Sequence, residues 1–465
     1  MSLYDRQGEE EDFPHLNEDD IEEVLEDDGQ RPVGLDDDDL GYGHDEDMKR
    51  LGDGIEGIEV IEKEPKENNS WGATALHQDH KSIFALSLHP KFPNPPLAIT
   101  GGQDDTGFIF CPIPSSSADG NTSTFNSETF LPIRLSGHTD SVVTAAWNFD
   151  GDMVATGGMD GRVRVWRRVR KRRGQPLSEE VLNSLEGWRA WEFLTNLETG
   201  SEITWLTWHP KGNVLTAGCE DATAWMWNLP SGNTLAVLSS HTFSCTAGLF
   251  PPTAKNLLTA SLDSSLILWD PRSPTPVWKS NIFLPPNSPE LDPSIHGITS
   301  LAVSPRGDVV AVGGASGSVK IVSLSKGDVL TTLQGHRFGD SVEALCFVDL
   351  ANGTGDGGRG LVCVSGGTDG CGFVWDVATG RVRSEIQHDE VITSLAPHPA
   401  PNQHLLTTAS LDSTLKTWDI RTGILVATHL GHTGLVGGVA VASLGDGTVG
   451  VVSAGDEGIS MIWRI

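Results

Sequence analysis

The stretch GHTDSVVTAAWNFDGDMVATGGMDGRVRVW, residues 137 to 166, decides the fold. A histidine opens it, and an alternating apolar strand follows to Trp147. A turn, a second strand ending in small residues, an aspartate and a third strand ending in Trp166 complete it. Apolar residues at a period of two, separated by Gly/Asp turns, specify short antiparallel strands joined by tight hairpins. The same order returns in SHTFSCTAGLFPPTAKNLLTASLDSSLILWD (240–270) and in HDEVITSLAPHPAPNQHLLTTASLDSTLKTWD (388–419).

Following the last position of the third strand gives Phe110, Trp166, Trp227, Trp269, Val322, Trp375, Trp418 and Trp463. Trp227–Trp269, Trp375–Trp418 and Trp418–Trp463 are spaced by 42, 43 and 45 residues. A period of about 40–45 residues with four strands per unit is that of WD repeats. Residues 70–465 therefore resemble a WD40-repeat β-propeller, an all-β fold, with eight blades. The fifth unit, GGASGSVKIVSL, lacks both the Asp and the Trp. The longer intervals carry insertions after Trp166, around LPPNSPELDPSI and at ANGTGDGGRG (351–360). The last unit ends at MIWRI with no residues left for a fourth strand, so residues 71–78 are expected to supply it. Such pairing removes a free sheet edge.

The chain of 465 residues has 63 acidic and 32 basic residues, a net charge of −31. Residues 1–67 alone hold 26 acidic and 6 basic side chains, in runs such as EEED, EEVLEDD and DDDD. Residues 1–69 are therefore expected to be a disordered, solvated tail. So acidic a protein is a poor nucleic-acid binder, since phosphate contacts need excess cation. No apolar run is long enough for a bilayer and no secretory signal opens the chain, so a cytoplasmic location, with a nuclear pool, is expected. The six cysteines form no C-x-x-C pair and read as small buried apolar residues. No cofactor or metal is expected.

His138, Thr156, Asp160 and Trp166 could be taken for a hydrolase set. The pattern recurs as His241, Thr259, Asp263, Trp269 and as His336, Ser365, Asp369, Trp375, whereas a catalytic triad occurs once. Repetition around a ring assigns these residues to structural hydrogen-bond chains. In the WD repeats that the chain resembles, Asp accepts from His, His meets Ser/Thr, and Ser/Thr meets the indole. GTGDGG (353–358) fits G-x-G-x-x-G but lies between two strands, so it is read as a hairpin loop. No Walker loop or nucleophile elbow appears, and the chain reads as a non-catalytic platform. The run VRVWRRVRKRRG (163–174) finishes a third strand and enters the connection to a fourth, expected near GWRAWEF (187–193). A solvated loop, stapled by charge to the tail, is the plain reading; a nuclear-import signal is the alternative.

Loops carrying the tetrad His and turns carrying the tetrad Asp share one end of a propeller. Asp105, Asp140, Glu220, Asp340, Asp389, Glu390, Asp456 and Glu457 fall there, a ring of carboxylates suited to a basic peptide. Several further stretches sharpen the resemblance: the tail, TGGQDDTGFIF, WLTWHPKGNVLTAGCEDATAWMW and the ASLD turns followed by WDPR or WDIRTG. Over nearly its whole length the chain is similar to the WD branch containing the angio-associated migratory cell protein and its fungal ribosomal-protein chaperone counterpart. That resemblance implies a monomeric chaperone that captures the basic N-terminal segment of a newly made large-subunit ribosomal protein of the L-sixteen family. Contact with the late, cytoplasmic pre-60S particle would then be indirect, with no direct nucleic-acid or membrane contact. The arginine-rich insertion and Gln103 depart from that pattern, leaving contacts from the first two blades least secure. WDPR (269–272) and WDIR (418–421) also match a short signature of cullin-ligase substrate receptors, and a generic signalling scaffold is the third reading.

Overall fold

A computed structural model describes residues 67–115, 125–172, 174–273, 275–284, 292–351 and 360–465. The acidic tail, the GTGDGG motif, Arg173 and most of LPPNSPELDPSI lie outside the described residues. The compact unit that contains the repeats runs from Pro65 to Ile465. It holds eight four-stranded antiparallel sheets. Each is one blade; seven run in chain order from an innermost to an outermost strand, and the eighth takes its outermost strand from the start of the unit. Blade 2, for example, is Val142–Trp147, Met153–Gly158, Arg162–Arg168 and Trp191–Glu198. Innermost strands of successive blades lie side by side, and Val436–Ser443 of blade 8 lies beside Ile83–Leu88 of blade 1. The ring is thus closed.

Gly72–Ala75 forms the outermost strand of blade 8, antiparallel to Ile459–Arg464. Asn69 fastens this join. Its Oδ1 accepts from the Leu430 amide (2.8 Å) and the Trp463 indole (3.0 Å), and its Nδ2 donates to Thr428 O (2.9 Å). Chain ends far apart in sequence therefore share one sheet, and no blade is left with three strands.

Second strands are buried along nearly their whole length because both faces meet a neighbouring blade. Ala155, Leu215 and Ala217 are fully buried between blades 2 and 3, together with Val163, Ile203 and Trp227. Burying such residues is worth about 25 cal/mol per Å² of apolar surface. Threonines near the head of the innermost strands add links from one blade to the next. Thr204 donates to Cys245 O (2.6 Å), Thr246 to Ile298 O (2.7 Å), Thr299 to Val342 O (2.7 Å) and Thr393 to Val436 O (2.7 Å). The six cysteines are free thiols, five of them buried.

The arginine run differs from the solvated loop expected. The third strand extends through Arg168, and the fourth begins at Trp191 rather than at Gly187. Between them lie a small hairpin, Lys171–Arg172 with Gln175–Pro176, and two short helices, Glu179–Leu182 and Leu185–Arg189. Ser178 and Ser184 cap these helices by accepting from Val181 N and Gly187 N. Arg168 is buried beneath them. Its guanidinium lies 3.5 Å from the Trp188 ring centroid, reaches Asp152 at 3.2 Å and donates to Leu182 O. Arg170 also pairs with Asp152, and Arg167 with Glu192 at 2.6 Å. Most of the described run is spent on the blade's own edge.

Candidate partner-binding face

Strand direction fixes which loops meet. With antiparallel strands in the order one to four, the turns between strands two and three share an end with the connections leading to the next blade. The residues singled out for their negative charge lie in these segments. Asp104, Asp105, Asp160, Glu220, Asp221, Asp369, Asp412, Asp456 and Glu457 are in the turns, and Asp140, Asp340, Asp389 and Glu390 are in the connections.

Beneath this surface the histidine networks hold turn to connection. In blade 2, His138 Nδ1 lies 3.1 Å from Asp160 Oδ1 and Nε2 lies 2.8 Å from Thr156 Oγ1. Because a carboxylate only accepts, Nδ1 carries the proton and Nε2 accepts from threonine. Blade 6 has the full chain: His336–Asp369 at 3.1 Å, His336–Ser365 at 2.8 Å and the Trp375 indole donating to Ser365 at 2.9 Å. Blade 7 has an equally complete one, His388–Asp412, His388–Thr408 and Trp418–Thr408. His77 joins Asp104 and Thr100 in blade 1.

Three details correct the sequence reading. In blade 4 the shortest contact of His241 Nδ1 is with Ser265 Oγ (2.7 Å), and Ser265 passes its hydroxyl on to Asp263. Asp263 itself lies 3.5 Å from the ring. In blade 2, Trp166 makes no indole bond to Thr156 among the described residues. The Arg164 guanidinium instead lies 5.8 Å from its ring. Glu457 is not a free surface acid. It takes the aspartate's place in blade 8, bonded to His432, whose Nε2 meets Ser453.

These networks set protonation states. Burial pushes the Asp263 and Asp412 carboxyls up, but the nearby His241 with the bonds from Ser265, and the bonds from His388 and Thr414, outweigh it and hold both well below the usual range. Burial likewise lowers His77 and His138, only partly opposed by Asp104 and Asp160.

Above the networks, the other acids face solvent. Asp140, Glu220, Asp389, Glu390 and Asp456 are exposed and Asp105 is half-buried. Glu220 accepts from Ser244 Oγ at 2.6 Å, and Asp456 accepts from Ser82 Oγ. Asp340 is less available, since Arg337 Nε reaches it at 2.6 Å. The sequence reading missed Glu202. It stands exposed on the connection entering blade 3 and lines, with Met159, Asp160, Ser201 and Glu220, an open cleft of about 330 Å³. Its position before ITWLTW was legible. Blade 3 has no tetrad histidine to draw attention to the connection. None of Asp105, Asp140, Glu202, Glu220, Asp389, Glu390 and Asp456 has a basic partner among the described residues. No cluster of three metal-ligating side chains occurs among them either. Of the W-D-x-R residues, Arg421 pairs with its own Asp419 at 2.6 Å, while Arg272 is exposed beside a cleft lined by His209, Leu235 and Phe250.

The pattern "WD domain, G-beta repeat" matches residues 130–167, 232–270, 292–323 and 380–419, and "Anaphase-promoting complex subunit 4 WD40 domain" matches 178–249. The human angio-associated migratory cell protein is 28% identical over 396 residues, 82% of this chain and 77% of that protein. The ribosome assembly protein SQT1 of Saccharomyces cerevisiae is 24% identical over 92% of this chain and 93% of its own length. The crystal structure of Chaetomium thermophilum Sqt1 bound to the N-terminus of the ribosomal protein L10 superposes with a TM-score of 0.68. It is 25% identical and covers 86% of this chain and 100% of that one. The chain is a WD40-repeat β-propeller protein, homologous to angio-associated migratory cell protein and to the ribosome assembly protein Sqt1.

Proposed function

We propose that the chain is a non-catalytic chaperone whose carboxylate end captures the basic N-terminal segment of a newly made large-subunit ribosomal protein. The observation that carries this reading is the set of solvent-facing carboxylates with no basic partner. An unpaired acidic rim attracts a cationic chain from a distance and replaces the phosphates it will later meet. The Chaetomium relative seen with the N-terminus of L10 supports this partner class. The L-sixteen family expected from the sequence is the first candidate. We place the activity in the cytoplasm, with a nuclear pool, acting as a monomer and meeting pre-60S particles only through its client.

The test is co-purification of the client segment with the full chain and with Asp140→Lys/Glu220→Lys. The variant should lose the client while keeping its melting temperature. In the parent chain, capture should weaken steeply with salt, because charges at a surface are screened beyond about 8–10 Å. Client retained by the folded variant would overturn the reading.

A further inference from the structure

The carboxylate end also exposes phenyl rings. Phe84 is 47% exposed, Phe243 44% and Phe338 81%. Two of them sit at equivalent seams. Phe84 follows by two residues Ser82, whose hydroxyl donates to Asp456 across the join of blades 8 and 1. Phe243 directly precedes Ser244, whose hydroxyl donates to Glu220 across the join of blades 3 and 4. The two serines occupy the same register, since the carbonyl of each accepts the amide of the turn residue in its own blade, Gln103 and Leu262. At each seam, then, a neutral hydroxyl fixes a carboxylate without cancelling its charge, and a ring is exposed within two residues.

That combination discriminates between cations. A carboxylate attracts lysine and arginine alike. A ring adds a flat apolar surface on which a planar, weakly hydrated guanidinium stacks better than a compact, strongly hydrated ammonium. The chain already uses the arrangement internally, with Arg168 between Trp188 and Asp152. We propose that these two seams select arginine over lysine in the captured basic segment, an inference that rests on the function proposed above. Phe338 provides the contrast, because the acid beside it, Asp340, is already taken by Arg337.

Two peptides of equal length and charge, one with arginine and one with lysine at the same positions in a Gly/Ser background, are titrated calorimetrically into the full chain. The arginine peptide should bind about tenfold tighter, the sum of two exposed cation–ring contacts. In Phe84→Ser/Phe243→Ser, and in Phe84→Leu/Phe243→Leu, which keeps apolar bulk, the preference should fall to about twofold or less. Phe338→Ser should retain it. Equal affinities in the parent chain, or a preference that survives in the folded double variants, would overturn arginine selection while leaving the chaperone reading intact. Binding of neither peptide would remove both.

Discussion

The two ends of the propeller treat charge differently. At the end opposite the carboxylate rim, several cations are matched within the chain, while Lys91, Lys211, Lys255, Arg272 and Lys326 have no acidic partner among the described residues. Arg168 and Arg170 meet Asp152, Arg306 meets Asp349 at 3.4 Å, Arg383 meets Asp376, Arg421 meets Asp419 and Arg464 meets Asp446. At the carboxylate end, Arg337–Asp340 is the pair on the connections, and seven other acids lack a basic partner among the described residues. One end ties many of its acids to cations of the chain. The other keeps its charge available. A conspicuous cationic run is thus spent largely on its own blade, whereas scattered single acids stay unpaired and carry the proposed interaction surface.

The largest expected effect separates the ends by binding. Lysines at Asp140 and Glu220 should abolish client capture, whereas Glu192→Lys, which breaks only the exposed pair with Arg167, should leave capture and its salt dependence unchanged. Equal losses from both would mean that net charge, not placement, governs binding.

Acid should act on the buried histidines that stand outside the His–Asp networks. Burial lowers His89, His398 and His429 to about 4. His398 and His429 end a buried chain through Thr407 and Thr417 in blade 7, with links of 2.8, 2.7 and 2.9 Å. Their folded pKa values lie below the unfolded value of about 6.5, so between these limits the unfolded chain binds more protons. Their contribution is therefore complete above pH ~6.5 and lost as pH falls toward ~4, on the order of 3 kcal/mol or more by pH 4.5. Denaturant titrations across that range check it. A flat profile would remove the assignment. Asp263 and Asp412, held low, add a further loss only as pH drops below ~3.9.

Arg168→Ala should cost about 2–3 kcal/mol, because it removes the stack on Trp188 and a buried link to Asp152, although Arg170 still serves that acid. Client affinity should not change. A drop in melting temperature with affinity preserved is the signature. An Arg168→Ala variant as stable as the parent would return the run to the status of a solvated loop.

The eight-bladed plan was legible because alternation, turn residues and terminal Trp recur in register, and the tetrads followed from the same repeat. What escaped depends on contacts that no period encodes. Arg168 looks like any residue of VRVWRRVRKRRG until Trp188 folds over it. Glu457 reads as a rim acid because a glutamate replaces the usual aspartate beside Asp456. Glu202 lies in a blade whose connection lacks the guiding histidine. The threonine links between blades look, in sequence, like ordinary strand residues.

The smallest effect tests the networks themselves. Trp375 donates to Ser365, but Trp166, at the matching place in blade 2, has Arg164 near its ring and no such bond. Replacing either by Phe keeps most of the buried aromatic surface. Trp375→Phe also removes a donor from a buried hydroxyl that serves His336, and should cost about 1 kcal/mol more than Trp166→Phe. Comparing the two melting temperatures isolates the hydrogen bond from ring packing, because each blade controls for the other. Equal shifts would show that the indole bond contributes nothing beyond packing, and that blade rigidity comes from the His–Asp link alone.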